Sequence, residues 1–430
     1  MAVRTLLQNK GWTFVVVMSL GLGIGGTTTI FTIVNAVLLR PLPYRDSNQI
    51  VWVWSDRAGA ASKERASYPD FLDWKAQSKT LDSWVAWGVY ETILTNAGPP
   101  QRLQAALMSG SLFTLVGVSP IAGSTAAAEN VDPNLPTVVL SHAIWQKTFN
   151  SDPSVVGRQI TLSGLSYTVI AVMPADFRFP IQSTPQVDLW MPLARVNPRV
   201  ARNRGARLSE VLARLRPNVS LFQAQAEMHT IAAQLRAEYP ETNRDIGIRV
   251  VRALDEVTGG VQSGLLIAFA SVSALLLISC ANIANLHLVR AVSRQREISV
   301  RAALGATRGR IGLQLISECF LVAAPGGIAG FLIAAAGVHV LRIFISPALP
   351  RADEIGLDGY ALVFTVLTAA VTAVLFSLMP AWHGSRADLS MILNDNRHTA
   401  TGGKALRRIS KTVVVGEIAL AMMLLVGLDS

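Results

Sequence analysis

Charge is scarce in this sequence. Asp, Glu, Lys and Arg make up 15% of it against 51% apolar residues, and the mean hydropathy is +0.39. That is too little charge and too much apolar surface for an ordinary soluble domain. Cysteine is scarcer still: Cys280 and Cys319 alone exclude a disulfide framework or a cysteine metal cluster, and both read as small core residues. No G-x-x-x-x-G-K-S/T loop occurs, so ATP hydrolysis by the P-loop route is excluded and any ATP energy is expected from a partner subunit. H-E-x-x-H and G-x-S-x-G are also missing, and the six histidines at 142, 229, 287, 339, 383 and 398 are scattered. No catalytic residue, cofactor or metal site is expected.

What the sequence has instead is long apolar runs. A helix needs ~20 mostly apolar residues to cross the hydrocarbon core, with every backbone polar group paired internally. Residues 11–39, 257–289, 319–341 and 359–385 contain no Asp, Glu, Lys or Arg, and predict four spans. A fifth apolar run begins at Ile418. The first run reads as an anchor rather than a cleaved signal, being longer than a signal core and lacking a small-x-small site over Asn35 to Pro43.

The net charge of +10 flanks these runs instead of forming a nucleic-acid-binding face. Residues 1–10 carry two basic and no acidic side chains, 290–310 six against one, and 386–411 six against two. Those segments are expected in the cytoplasm. The 342–358 connection, with two basic and three acidic groups, and the 41–256 domain, with 21 and 19, are expected outside.

Between the first two runs the pattern changes to short alternating strands, polar turns and one amphipathic helix, which predicts an independent α+β domain. Val211, Leu212 and Leu215 mark a strand. Leu221 to Tyr239 set Ala224, Met228, Ile231, Ala232 and Leu235 at helical spacing, and Ile246 to Val251 form a second strand. This is a βαβ-type unit or a split, ferredoxin-like one. Ile160 to Leu162 and Tyr167 to Val172, flanking Ser163, Gly164 and Leu165, read as a hairpin. The tryptophans at 52, 54, 74, 84, 87, 145 and 190 are expected to pack the core, with Trp52 and Trp54 also suited to a membrane interface.

Gly21, Gly23 and Gly26 match G-x-G-x-x-G, but inside a membrane run with no preceding strand the dinucleotide reading fails. Gly21 and Gly25 also form G-x-x-x-G, which predicts close helix packing. Between the second and third spans, Arg294, Arg296, Glu297, Ile298, Val300, Arg301, Leu304 and Gly305 follow a basic amphipathic pattern. That pattern suits the cytoplasmic membrane surface and its anionic lipid headgroups.

Four stretches carry a resemblance: LGIGGTTTIFTIVNAVLLRPLPY at Leu22 to Tyr44, SYPDFLDWK at Ser67 to Lys75, VVLSHAIWQKTF through GRQITLSGLSYTVIAVMP at Val138 to Pro174, and REISVRAALGATRGRI at Arg296 to Ile311. In family order they cover most of the chain, which resembles the FtsX-like ABC transporter permeases with a MacB-type periplasmic core domain, in particular their duplicated orphan group. The resemblance implies a multi-span α-helical protein of the bacterial inner membrane with an inserted α+β extracytoplasmic domain. A separate cytoplasmic ABC ATPase would face Arg296, Glu297, Arg301 and Gly305, and Glu318 would begin the third span. Members of the duplicated group continue into a second permease copy, and Lys411 to Leu428 resembles the first span of that copy. The expectation is therefore a truncated chain, with the second copy supplied in full-length relatives or by a dimer.

The implied organisation is a cytoplasmic segment and first span over 1–40, a periplasmic core domain over 41–256, and a permease domain over 257–385 with a coupling segment at 290–310. A linker at 386–411 and the start of a further span at 412–430 follow. The implied function is export or mechanotransmission driven by the partner's ATP hydrolysis. A membrane-anchored ligand sensor without an ATPase is the alternative, and an integral-membrane enzyme is disfavoured because no span carries paired ionisable groups.

Overall fold

A computed structural model describes residues 10–57, 63–125, 136–181, 186–193, 202–293, 308–345 and 351–385. Packing groups them into two units, residues 40–260 and the residues flanking that stretch on both sides.

Helix α1 (Lys10–Val34) continues as a π-helix, Asn35–Leu39. Strands β1 (Ile50–Arg57), β2 (Lys63–Glu64) and β3 (Ala66–Ser67) lead into α2 (Tyr68–Gln77). The last is started by Ser67, whose hydroxyl accepts the Asp70 amide at 3.2 Å, and by a proline in its first turn, where a missing N–H costs nothing. Next come β4 (Leu81–Leu94), β5 (Gln101–Gly110), α3 (Leu112–Val116), β6 (Ala122–Gly123), β7 (Thr137–Leu140) and α4 (His142–Phe149). Strands β8 (Gln159–Leu162), β9 (Leu165–Val172), β10 (Leu189–Pro192) and β11 (Arg207–Leu215) precede α5 (Leu221–Glu238). A short α6 (Pro240–Asn243) and β12 (Ile246–Arg252) then lead to three long helices, α7 (Ala253–Ser293), α8 (Arg308–Ile345) and α9 (Gly359–Ser385).

Among the described residues three helical stretches are long and apolar enough to cross a membrane: Lys10–Leu39, Ala253–Leu286 and Cys319–Phe344. Helix α9 has 27 residues and an apolar stretch, Gly359–Leu375. This is a membrane protein with an inserted α+β domain. Helices α7 and α8 run further than the apolar runs predict, to Ser293 and back to Arg308.

The inserted domain is built on one mixed sheet ordered β12-β1-β11-β4-β5-β10-β7-β9-β6. Strands β11 and β12 both pair antiparallel with β1, which lies between them. The strand, helix, strand unit is therefore the split kind. Helix α5 buries Ala224, Met228, Ile231, Ala232 and Leu235, the five residues its periodicity marks, and is opened by a Ser220/Gln223 capping box. The β8–β9 hairpin turns on Ser163 and Gly164, at φ of 49° and 84°, and Leu165 pairs with Leu162 as the first residue of β9. Sequence assigned Leu165 to the turn; a two-residue loop with both residues left-handed needs only the other two.

Because strand side chains alternate between faces, the sheet carries different cores on its two sides. One face holds a continuous cluster reaching from Ile50 and Trp52 through Val85, Trp87 and Met108 to Trp190. The other face has two separate clusters, one with α2 and α5 residues such as Phe71, Trp74 and Met228, the other around Ile144 and Phe149 of α4. Trp52, Trp74, Trp84, Trp87 and Trp190 are buried, while Trp54 and Trp145 are partly so.

Two polar staples tie segments across this domain. Asp70, fully buried, accepts from Arg204 Nη1 at 2.6 Å, Arg207 Nη1 at 3.0 Å and Asn243 Nδ2 at 2.9 Å, while Arg204 lies 3.7 Å over the Tyr239 ring. Glu227 of α5 accepts from Ser78 Oγ and the Lys79 amide, both at 2.8 Å, from the Thr80 amide at 3.0 Å, and from the Thr80 hydroxyl. Burial pushes the Glu227 carboxyl up, but the Thr80, Lys79 and Ser78 hydrogen bonds outweigh it and hold the group below its ordinary value.

Two predictions follow from these staples. Asp70→Ala leaves two guanidinium groups facing an empty buried site, and the domain should lose about 3–5 kcal/mol, read by denaturant unfolding through its tryptophan fluorescence. Glu227→Gln should cost about 1–2 kcal/mol at neutral pH. Because the folded carboxyl titrates below the unfolded one, its contribution is present above the unfolded value, about 4.3, and is lost as pH falls through the folded value. The variant's stability should converge on wild type at low pH.

Candidate functional site

Helices α1 and α8 meet along a seam of small residues. A Cβ added at Gly21 would lie 3.0 Å from Ala329 Cβ, and one at Gly25 would lie 2.8 Å from Ile333 Cβ and 2.9 Å from the Gly330 carbonyl oxygen. The relation is reciprocal: a Cβ at Gly326 would lie 2.9 Å from Leu20 Cβ, and one at Gly330 2.9 Å from Ile24 Cβ. The G-x-x-x-G of α1 thus faces a second one, Gly326 and Gly330. The same spacing rule would have found that second motif in the sequence.

The other glycines of the G-x-G-x-x-G string are not equivalent. Gly23 faces α7, where an added Cβ would meet Leu276 Cδ1 at 2.9 Å, whereas Gly26 has nothing within 4 Å among the described residues. Polar contacts join the same helices. Thr28 and Thr365 share a hydrogen bond at 3.2 Å, and Thr27 donates to the Val272 carbonyl at 3.3 Å and to Gly23 O at 2.8 Å. Phe31 stacks on Phe364 with ring centroids 3.9 Å apart. Cys280 and Cys319 are buried in the apolar cluster around Leu20 and Ile24.

In the inserted domain, the residues just after α1 and the first turn of α7 enter one core. Leu42, Ala253 and Val257 belong to the cluster of Trp52, Trp87 and Trp190, with Tyr44 and Leu254 against it. Its aromatic centre is dense: Trp52 lies 5.9 Å from Trp54 and 6.0 Å from Trp87, and Trp87 lies 5.3 Å from Phe179. Trp190 Nε1 donates to Phe179 O at 3.1 Å, but the indole nitrogens of Trp52, Trp54 and Trp87 are buried without a hydrogen-bond partner among the described residues. An unpaired donor costs about 1–3 kcal/mol, less than the ~5 kcal/mol that a buried ring of ~200 Å² contributes. These rings serve as apolar filling.

The coupling segment proper, with Arg296, Glu297, Arg301 and Gly305, lies outside the described residues, as do Trp54's neighbours beyond Arg57 and the apolar run from Ile418. Its flanks are described: residues 290–293 belong to α7 and 308–310 to α8. Residue 318 falls inside α8, ten positions after the helix begins. Among the described residues no group of His, Cys, Asp and Glu is arranged to hold a metal ion.

Comparison with known proteins gives two family matches in sequence order, the MacB-like periplasmic core domain over residues 13–231 and the FtsX-like permease C-terminal domain over 269–389. The chain is 25% identical over 284 residues to the macrolide export ATP-binding/permease protein MacB of Escherichia coli strain K12, covering 65% of this chain and 42% of that one. It is 24% identical over 284 residues to the Shigella flexneri protein of the same name, with the same coverage. The chain therefore spans about two fifths of the length of these relatives. Among solved structures, the periplasmic region of MacB from Actinobacillus actinomycetemcomitans matches at 11% identity and a TM-score of 0.38, covering 50% of this chain and 94% of that one. A domain of a Porphyromonas gingivalis permease matches at 15% identity and a TM-score of 0.38, covering 48% and 90%. Since the first family match takes in half of the chain and the second lies after it in sequence, the chain belongs to the FtsX-like permeases with a MacB-like periplasmic core domain.

Proposed function

We propose that this chain is the permease component of an ABC-type export or mechanotransmission system, in which ATP hydrolysis by a separate cytoplasmic ATPase moves the inserted domain. The observation that carries the reading is the shared core around Trp52 and Trp87, which takes in residues from both connections to the helical unit, Leu42 and Val257. Close-packed interiors transmit displacement instead of absorbing it, so a shift of either connection reaches the sheet. The glycine seam plays the matching part in the helical unit: Gly21 and Gly25 let α1 and α8 approach closely enough to move as one body.

In this reading residues 290–310 are cytoplasmic and Arg296, Glu297, Arg301 and Gly305 form the face that meets the ATPase. Glu297 and Arg301, four residues apart, lie on one side of a surface helix, and the neighbouring basic residues hold the segment against anionic headgroups. The inserted domain is periplasmic and the N-terminus cytoplasmic. A second permease copy, in the same polypeptide or in a dimer, completes the assembly.

Three measurements test this. On a background with Cys280 and Cys319 replaced by Ala, an impermeant thiol reagent applied to intact cells should label Asp152→Cys and not Arg308→Cys; the opposite pattern reverses the orientation. Replacing Glu297 and Arg301 together by Ala should lower co-purification of the ATPase or uncouple its turnover while membrane insertion persists. Wild-type behaviour would reduce the segment to a topology determinant and leave a ligand sensor as the better reading. Gly25→Leu should destabilise the helical unit by about 1–3 kcal/mol through overpacking, seen as earlier thermal loss of a monodisperse peak in detergent. Gly26→Leu, at a position with open space, should be close to neutral.

A further inference from the structure

Between α8 and α9 runs a groove of about 410 Å³, and we infer that it holds a single acyl chain of a membrane phospholipid. At its base lie the small buried residues Ala323, Gly327 and Thr365, and around it stand the exposed side chains of Phe320, Ile328, Leu332, Leu362 and Val366. The chemistry of the lining restricts the occupant. The single hydroxyl, Thr365 Oγ1, is already engaged with the Ala361 carbonyl at 2.7 Å and with Thr28 Oγ1 at 3.2 Å. The described lining offers no other side-chain donor or acceptor for a water, a sugar or a headgroup, and water does not enter a cavity that lacks the two or more polar partners it needs.

Shape restricts it further. The two helices already touch at the base, where a Cβ added at Gly327 would lie 3.2 Å from Ala369 Cβ. A third helix, ~10 Å across, is too thick to reach that base, whereas a methylene chain is thin enough to lie along it. From Phe320 to Leu332 the groove follows α8 for about 18 Å at 1.5 Å per residue. That is roughly the depth of one leaflet, half of a ~30 Å hydrocarbon core. The stretch Cys319–Phe344 is one of the membrane-crossing segments, so hydrocarbon is the medium at hand. Lipid tails are as apolar as the lining, so no hydrophobic drive separates them; the chain is retained because an unfilled groove forfeits dispersion contacts on every side.

The test reconstitutes the full chain in phosphatidylcholine vesicles containing a phosphatidylcholine with a diazirine midway along one acyl chain, then maps the light-induced adducts by mass spectrometry. Adducts on Phe320, Ile328, Leu332 and Val366 should exceed those on Val363, Leu367 and Val371 several-fold. These last three are equally exposed on α9 but lie outside the groove. Filling it by Ala324→Leu with Ala370→Leu should bring the groove adducts down to that reference level. An even distribution of adducts in the wild-type chain means ordinary surrounding lipid and overturns the proposal, as does a groove shielded from the probe by a second copy of the chain. The wild-type map decides the matter even where the filled variant does not insert.

Discussion

In hydrocarbon, apolar side chains gain nothing by leaving lipid for protein, so helices are held by close packing and by polar contacts that lipid cannot offer. The α1 and α8 seam meets that constraint by removing side chains on both partners at once. Gly21 and Gly25 receive Ala329 and Ile333, while Gly326 and Gly330 receive Leu20 and Ile24. Each knob sits in a gap made by a missing Cβ opposite. The rest of the helical unit is arranged around this contact: α7 reaches α1 through Gly23 and Thr27, and α9 through the Thr28–Thr365 hydrogen bond and the Phe31–Phe364 stack.

In the inserted domain water supplies the driving force instead, and the solution changes accordingly. Helices α2, α4 and α5 cover two clusters on one face of the sheet, while the other face is covered by irregular segments, α3 and the two connections. Such segments bring few large flat surfaces, and the tryptophans and phenylalanines make up the missing area. The polar staples lie among the helices of the first face. Asp70 joins α2 to the segments before β11 and β12, and Glu227 joins α5 to the start of β4. Each carboxylate is surrounded by donors from several stretches of chain, so it fixes their mutual position in a way that apolar contact alone does not.

Three of the four predicted spans are long and apolar enough to cross a membrane among the described residues, and were legible because a charge-free run of this length has few other readings; α5 was legible because eighteen residues allow a 3.6-residue repeat to show. Helices α2 and α4, with ten and eight residues, are too short for that repeat to stand out, although Ser67 and Ser141 mark their starts by capping. Sheet order was not legible: the insertion of β1 between β11 and β12 depends on contacts roughly 160 to 200 residues apart, and no local pattern encodes them. At the seam, Gly21 and Gly25 were visible as a motif but their partner was not, because G-x-x-x-G specifies closeness without naming what comes close. Asp70 and Arg207 gave no signal at all, since an isolated aspartate and arginine look the same whether solvated or buried together.

The seam continues along α1 beyond its glycines. A Cβ added at Gly337 would lie 2.9 Å from Thr29 Oγ1, and over this stretch Thr27, Thr29 and Thr32 turn their hydroxyls back to the carbonyls of Gly23, Gly25 and Thr28. Such a bond satisfies a buried hydroxyl within its own helix, at a small cost in helix stability and a tendency to bend, and Thr27 reaches the Val272 carbonyl of α7 as well. The helix then changes to the π form over Asn35–Leu39, where wider hydrogen-bonded rings are less favourable than α-helical ones. Three residues further on, Leu42 is held in the core of the inserted domain. The π segment is itself well packed inside the helical unit, with Ala36 and Val37 buried in one cluster with Ile33 and Val338, so the side chains around it hold the less favourable backbone in place.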